Sequence, residues 1–122
     1  MALRLLIVDD NERFLEAARS TLERDGIEVV GTATTAAEAE RQAEELDPDL
    51  VLVDLNLGAD SGFDLTRRLT ELRSNYSRVL LISTRAEEDF SDLIRESPAI
   101  GFLSKSDLSA GAIRELLSSD GD

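Results

Sequence analysis

Apolar residues follow two alternating rhythms along the chain. Short, mainly apolar runs predict strands at Leu3–Val8, Ile27–Ala33, Leu50–Asp54, Arg78–Ser83 and Ile100–Leu103, the third and fourth nearly continuous in large aliphatic residues. Runs of this kind suit strands buried on both faces of a parallel sheet. The segments between them carry apolar residues at helical spacing. Phe14, Leu15, Ala18 and Leu22 define a first helix over 11–25, closed by Gly26. Thr35-Ala36-Ala37-Glu38 is a capping-box pattern opening a second, Ala- and Glu-rich helix that must stop before Pro48. Leu65, Leu69 and Leu72 mark a third helix from Ser61 to about Ser74, and Phe90, Leu93 and Ile94 a weaker fourth over 87–96. A last helix, capped by Ser109 or nearby Asp107, runs through Leu117 into a frayed polar tail.

Five strands alternating with five helices through short loops specify an α/β fold with a parallel sheet covered on both faces. The expected architecture is a flavodoxin-like (βα)5 three-layer sandwich with sheet order 2-1-3-4-5. The 122 residues make one domain over 1–118, with 119–122 as a disordered polar tail.

Composition narrows the chemistry. The formal charge of −13 opposes the phosphate neutralisation that nucleic-acid binding needs, and equally opposes anionic membranes. No run is long enough for a membrane span and no signal peptide opens the chain, so a reducing, cytoplasmic setting is expected. Cysteine is absent, which excludes disulfides and thiolate metal sites. Histidine is absent too, so a histidine nucleophile or phosphocarrier must come from another protein. Lys105 is the single lysine against twelve arginines.

Ligands of open α/β sheets bind beyond the carboxyl ends of the strands, so the residues there carry the functional reading. Strand one ends in Asp9-Asp10, strand three in Asp54, strand four in Ser83-Thr84, and strand five in Ser104-Lys105. Neighbouring strands lie about 4.8 Å apart, so the carboxylates after strands one and three can meet. Two unit charges about 4 Å apart repel by about 1 kcal/mol in water and roughly 4 kcal/mol near a protein surface. Such a cluster takes up a proton or binds a cation. All available ligands are oxygens, which points to Mg²⁺, with Mn²⁺ as the alternative, rather than Zn²⁺. A carboxylate-held metal suits phosphate chemistry, with Lys105 and Ser83 as further donors and Asp54 as a nucleophile able to form an acyl phosphate.

Taken singly, each residue has a plainer reading. Asp9-Asp10 could be a helix N-cap, Lys105 a solvated lysine, Ser83 a strand-end hydroxyl, and Phe102 ordinary core. Phe14, Phe63 and Phe90 read as core residues. The plainer readings would have to coincide at four neighbouring strand ends.

Together, the acidic pair Asp9-Asp10, Asp54 with Gly62 eight residues on, Ser83, and Gly101-Phe102-Leu103-Ser104-Lys105 resemble the receiver domain of bacterial two-component response regulators. The resemblance covers essentially the whole chain. It implies that Asp54 is phosphorylated by a phosphohistidine of a sensor histidine kinase or a histidine phosphotransfer protein. It implies Mg²⁺ on Asp9, Asp10, Asp54 and the backbone carbonyl of Asn56. Ser83 would swing toward the phosphoryl group, Lys105 would pair with it, and Phe102 would be an aromatic rotamer switch. Asn56 and Arg85 stand where family members tune self-dephosphorylation. A downstream protein partner would read the surface of the fourth helix, fifth strand and fifth helix.

Three positions depart from the family pattern. Gly58 and Ser106 stand where proline is usual, and Thr84 stands where a small residue is usual. The chain also ends with the receiver, as expected of a single-domain regulator or a piece of a longer one. Other classes fit less of the sequence. An aspartate-nucleophile phosphatase needs an Asp-x-Asp after strand one, and a nucleotide-binding module needs a Gly- or Ser-rich first loop. A receiver fold used purely for docking, without phosphorylation, would have no need of Mg²⁺.

Overall fold

The computed structural model describes residues 3–72, 78–84 and 91–120. Its elements are β1 (Arg4–Val8), α1 (Glu12–Arg24), β2 (Glu28–Ala33), α2 (Ala36–Leu46), β3 (Leu50–Asp54), β4 (Asn56–Leu57) and β5 (Asp60–Ser61). They continue with α3 (Gly62–Leu72), β6 (Arg78–Ser83), α4 (Ser91–Glu96), β7 (Gly101–Ser104), a 3₁₀ turn at Lys105–Asp107, and α5 (Ala110–Asp120). The main sheet has the order β2-β1-β3-β6-β7, with every pairing parallel. Because β4 and β5 form a separate small hairpin, this is the expected order 2-1-3-4-5.

Alternation along each strand divides the core into two layers. Leu6, Val8, Val51, Val53, Val79 and Leu81 face α2 and α3, where Ala39, Ala43, Leu65 and Leu69 meet them. Leu5, Ile7, Leu50, Leu52, Leu80 and Ile82 face the other way, onto Leu15, Ala18 and Leu22 of α1 and Ile113 of α5. Every residue of β3 is buried, as its continuous apolar run requires. The result is the expected three-layer flavodoxin-like sandwich, with its central strand aimed at Asp54.

Local signals set the helix ends. The Asn11 side chain accepts from the backbone N–H groups of Arg13 and Phe14 and so caps α1. Thr35 caps α2 by accepting from Glu38 N at 3.2 Å, and Ser109 Oγ accepts from Ala112 N at 3.0 Å. α2 stops at Leu46, two residues before Pro48.

The differences from the sequence reading lie at edges and loops. α5 continues to Asp120, past the Leu117 at which helix was expected to end. β7 starts at Gly101 rather than Ile100; α3 is described as far as Leu72, and the positions 73 and 74 expected to close it lie outside the described residues. Of the fourth helix, Ser91–Glu96 is helical; Phe90 and the rate-tuning candidate Arg85 lie outside the described residues. The chain from Asn56 to Ser61 forms the β4–β5 hairpin, so the third helix starts at Gly62 rather than Ser61. No helix among the described residues is long and apolar enough to cross a membrane.

Candidate functional site

The register of the sheet builds the site. Val8 of β1 stands opposite Val53 of β3, so the next residues, Asp9 and Asp54, emerge side by side at the carboxyl edge. Asp9 is fully buried and Asp54 nearly so, while Asp10 is exposed. One carboxylate oxygen from each of the three lies within 4.8 Å of the other two. Ser83, buried at the end of β6, and Lys105, just beyond β7, complete the same edge.

Each buried carboxylate uses one oxygen locally and turns the other to Lys105. Asp9 Oδ1 accepts from Asn11 N at 2.8 Å, and Asp54 Oδ1 accepts from Asn56 N at 3.1 Å. Lys105 Nζ then lies 2.5 Å from Asp9 Oδ2 and 3.1 Å from Asp54 Oδ2. Asp9 Oδ2 is buried and meets no partner but this ammonium among the described residues, so it keeps acceptor capacity. Asn11, not the acidic pair, caps α1. The plain capping role therefore does not explain Asp9-Asp10.

One ammonium shared between two carboxylates neutralises neither fully. Burial pushes the Asp9 carboxyl above the ordinary range and the Asp54 charge adds to this, outweighing the opposing effects of Lys105 and Asn11 N–H. Burial opposes the charge on Lys105, but its two carboxylate contacts outweigh that and raise its pKa. With all three carboxylates ionised against one ammonium, two negative charges remain uncompensated. An all-oxygen set with that charge and an underused buried oxygen fits a hard divalent cation.

The loop after β3 shapes the rim. Gly58 has φ +68 at the first position of the two-residue β4–β5 turn, and Ala59 does not share the positive φ. This is the sign pattern of a type II′ hairpin turn, which takes Gly first. Proline, fixed near φ −65°, cannot adopt it. Gly62 N donates to Leu55 O at 3.0 Å, and Asp60 Oδ2 accepts from Ala36 N at 3.1 Å, tying the hairpin to the start of α2. Ser106 lies in the 3₁₀ turn with its hydroxyl 2.9 Å from that of Ser104, and the described backbone has no cis peptide bond. Thr84 is exposed at the end of β6.

The structure thus brings together Asp9, Asp10, Asp54, Ser83 and Lys105, with Asn56 at the rim. Phe102 is half-buried, packed on the α2–α3 face of the core together with Ile94 and Ala99. Sequence reasoning missed Phe14, assigned to the core: its ring centroid lies 4.3 Å from Lys105 Nζ. Its place on the first turn of α1, after the acidic pair, puts it near the site but does not distinguish it from a core residue.

A family model described as "Response regulator receiver domain" matches residues 5–117. The chain is 34% identical over 105 residues to the response regulator GacA of Pseudomonas viridiflava, covering 84% of this chain and 48% of the relative. It therefore spans about half the length of that curated relative. Among solved structures it is similar to a LuxR-family two-component response regulator from Aurantimonas, with a TM-score of 0.84, 29% identity, and coverage of 97% of this chain and 84% of that one. A second is a Burkholderia pseudomallei response regulator crystallised with a phosphorylated aspartic acid, calcium ion and citrate. There the TM-score is 0.80 at 30% identity, over 94% of this chain and 66% of that one.

Proposed function

The chain belongs to the response regulator receiver domain family, and on that premise we propose that it is a signalling switch operated by phosphorylation of Asp54. The observation that carries the reading is Lys105 Nζ between Asp9 and Asp54, with Asp10 completing the carboxylate cluster. A structural ion pair needs one acid; three converging acids with one shared cation suit a site that receives additional charge.

As membership of the family implies, the phosphoryl donor is a phosphohistidine on a sensor histidine kinase or histidine phosphotransfer protein; the chain itself has no histidine. A carboxylate oxygen of Asp54 forms the new P–O bond as the P–N bond to the donor imidazole breaks, giving an acyl phosphate. Lys105 offsets charge on the phosphoryl oxygens. The Ser83 hydroxyl, buried on the adjoining strand, donates to one of them. Mg²⁺, or Mn²⁺, held by Asp9, Asp10, Asp54 and the Asn56 carbonyl, would supply further charge compensation for the transferred group. Movement of Ser83 toward the phosphoryl group lets Phe102 on the adjacent β7 change rotamer, and the α4–β7–α5 surface changes with it. That surface, where α4 exposes Leu93, meets the downstream protein partner. The negative charge of the domain leaves nucleic acid and membrane outside its own contacts. A pure docking module has no use for three converging carboxylates.

Intact-mass spectrometry after incubation with acetyl phosphate and Mg²⁺ tests the reading. A single phosphoryl adduct on the wild type that is lost in Asp54→Asn is the expected result. An adduct that survives in Asp54→Asn moves the acceptor elsewhere. A folded wild type that gains no adduct from either acetyl phosphate or a phosphorylated histidine donor overturns the switch.

A further inference from the structure

Phe14 touches the site, yet phosphoryl transfer as described leaves it without a task. It lies on the first turn of α1, where its backbone N–H donates to the capping Asn11 side chain at 3.2 Å. Its ring centroid is 4.3 Å from the Lys105 ammonium, whose side chain is only 13% exposed. Phe14 and Lys105 line one groove of about 160 Å³, together with Ala18, Leu22 and Leu108.

A ring face attracts a cation through its quadrupole, and more strongly where water is excluded. The attraction is broad across the face and uses no lone pair, so it does not choose between carboxylates. The ammonium now sits nearer Asp9, at 2.5 Å, than Asp54, at 3.1 Å. It can move from one carboxylate toward the other and stay on the ring.

We propose that Phe14 is a positioning residue for Lys105, holding its ammonium over the carboxylate cluster where it meets the phosphoryl group on Asp54. The proposal rests on Asp54 being the acceptor. A leucine at position 14 fills the half-buried space but has no π face, whereas tyrosine retains one.

The test uses the whole chain as wild type, Phe14→Leu and Phe14→Tyr, each checked for cooperative thermal unfolding. Because Lys105 is the single lysine, ¹³Cε-labelled lysine gives one NMR signal from this side chain. Its ε-methylene protons are expected upfield of free lysine in wild type and Phe14→Tyr, through the ring current, and at the free-lysine position in Phe14→Leu. Phosphoryl adduct formation from acetyl phosphate and Mg²⁺ is expected to slow by roughly two- to thirtyfold in Phe14→Leu and to recover in Phe14→Tyr. A free-lysine shift in the wild type, or a Phe14→Leu variant as fast as wild type, overturns the proposal. If the wild type gains no adduct from acetyl phosphate or from a phosphorylated histidine donor, the acceptor reading fails and the lysine signal decides alone: a shift lost only in Phe14→Leu keeps the ring's hold on Lys105, and no shift ends it.

Discussion

Gly62 lies so close to the main chain of Asp54 that a Cβ there would overlap the Asp54 carbonyl oxygen and stand 2.7 Å from Leu55 Cα. The contact fixes the strand-to-helix passage that carries Asp54, because what approaches is backbone and cannot turn aside. Gly62→Ala is therefore expected to destabilise the fold by about 2–4 kcal/mol. Urea unfolding checks it: a midpoint within error of wild type would show that the passage has slack.

The carboxylate cluster predicts a cation response in stability. Millimolar Mg²⁺ should raise the melting temperature, since the ion has its site only in the folded chain; occupancy at a hundred times Kd adds about 2.7 kcal/mol. Asp10→Asn should abolish most of that response while leaving the metal-free protein folded, because Asp10 is exposed and makes no ion pair with Lys105 among the described residues. Thermal scans with and without Mg²⁺ on the two proteins decide it. Equal responses would place the ion elsewhere.

Asp54→Asn should stabilise the metal-free domain by about 1 kcal/mol. It removes a charge that repels two others, Asp9 and Asp10, each within 4.8 Å, while leaving Asp9 to hold Lys105, so the relief of two repulsions outweighs the single ion pair lost at 3.1 Å. Denaturant melts in EDTA measure the difference. A variant less stable than wild type would mean that the Asp54–Lys105 pair dominates the local electrostatics.

How much of this was legible in the sequence depends on the kind of signal. The parallel sheet covered on both faces followed from five apolar runs and the helical spacing between them, with the fully apolar Leu50-Val51-Leu52-Val53 suited to its centre. The sheet order came with the flavodoxin-like class and agreed with the polar residues at the ends of strands one, three, four and five. Asp9, Asp54, Ser83 and Lys105 could be placed because strand ends converge wherever the strands are parallel. The Asn56–Ser61 hairpin could not, because two-residue strands have no periodicity and their turn depends on one φ angle. Phe14 was hidden for another reason. An aromatic on the apolar face of a helix looks the same whether its ring meets leucines or an ammonium, and only the loop after β7 decides which.

Protonation of Asp9 should leave a mark on the pH dependence of stability. Burial, reinforced by Asp54, raises its folded-state pKa, while the unfolded chain titrates near 4. Between those values the folded protein binds the extra proton, so this group's contribution to stability is greatest in acid. That contribution falls as the pH rises from about 4 through the folded-state pKa. The other acidic groups overlay this trend, so the comparison must be wild type against Asp9→Asn, both without metal. The stability gap should move in favour of the variant as pH rises through that window. A gap that stays constant would show Asp9 titrating alike in both states.

Restoring the family's usual proline at position 58 should harm this protein. Gly58 holds φ +68 in the β4–β5 turn, whereas proline is confined near −65°. Gly58→Pro would have to rebuild the turn, at a cost of about 2 kcal/mol or more. Gly58→Ala meets only the left-handed backbone penalty, about 1–2 kcal/mol. A Cβ at this position would lie 3.5 Å from Asp10 Oδ2, so space alone does not forbid it. Rebuilding the turn also moves Asn56 and the rim beside Asp10. Gly58→Pro is thus expected to weaken the Mg²⁺-induced rise in melting temperature, and Gly58→Ala to keep most of it. Parallel melts of the two variants separate backbone geometry from side-chain bulk. A Gly58→Pro protein as stable and as Mg²⁺-responsive as wild type would mean that the loop reaches the usual family conformation without strain, and that the hairpin is not what shapes this rim.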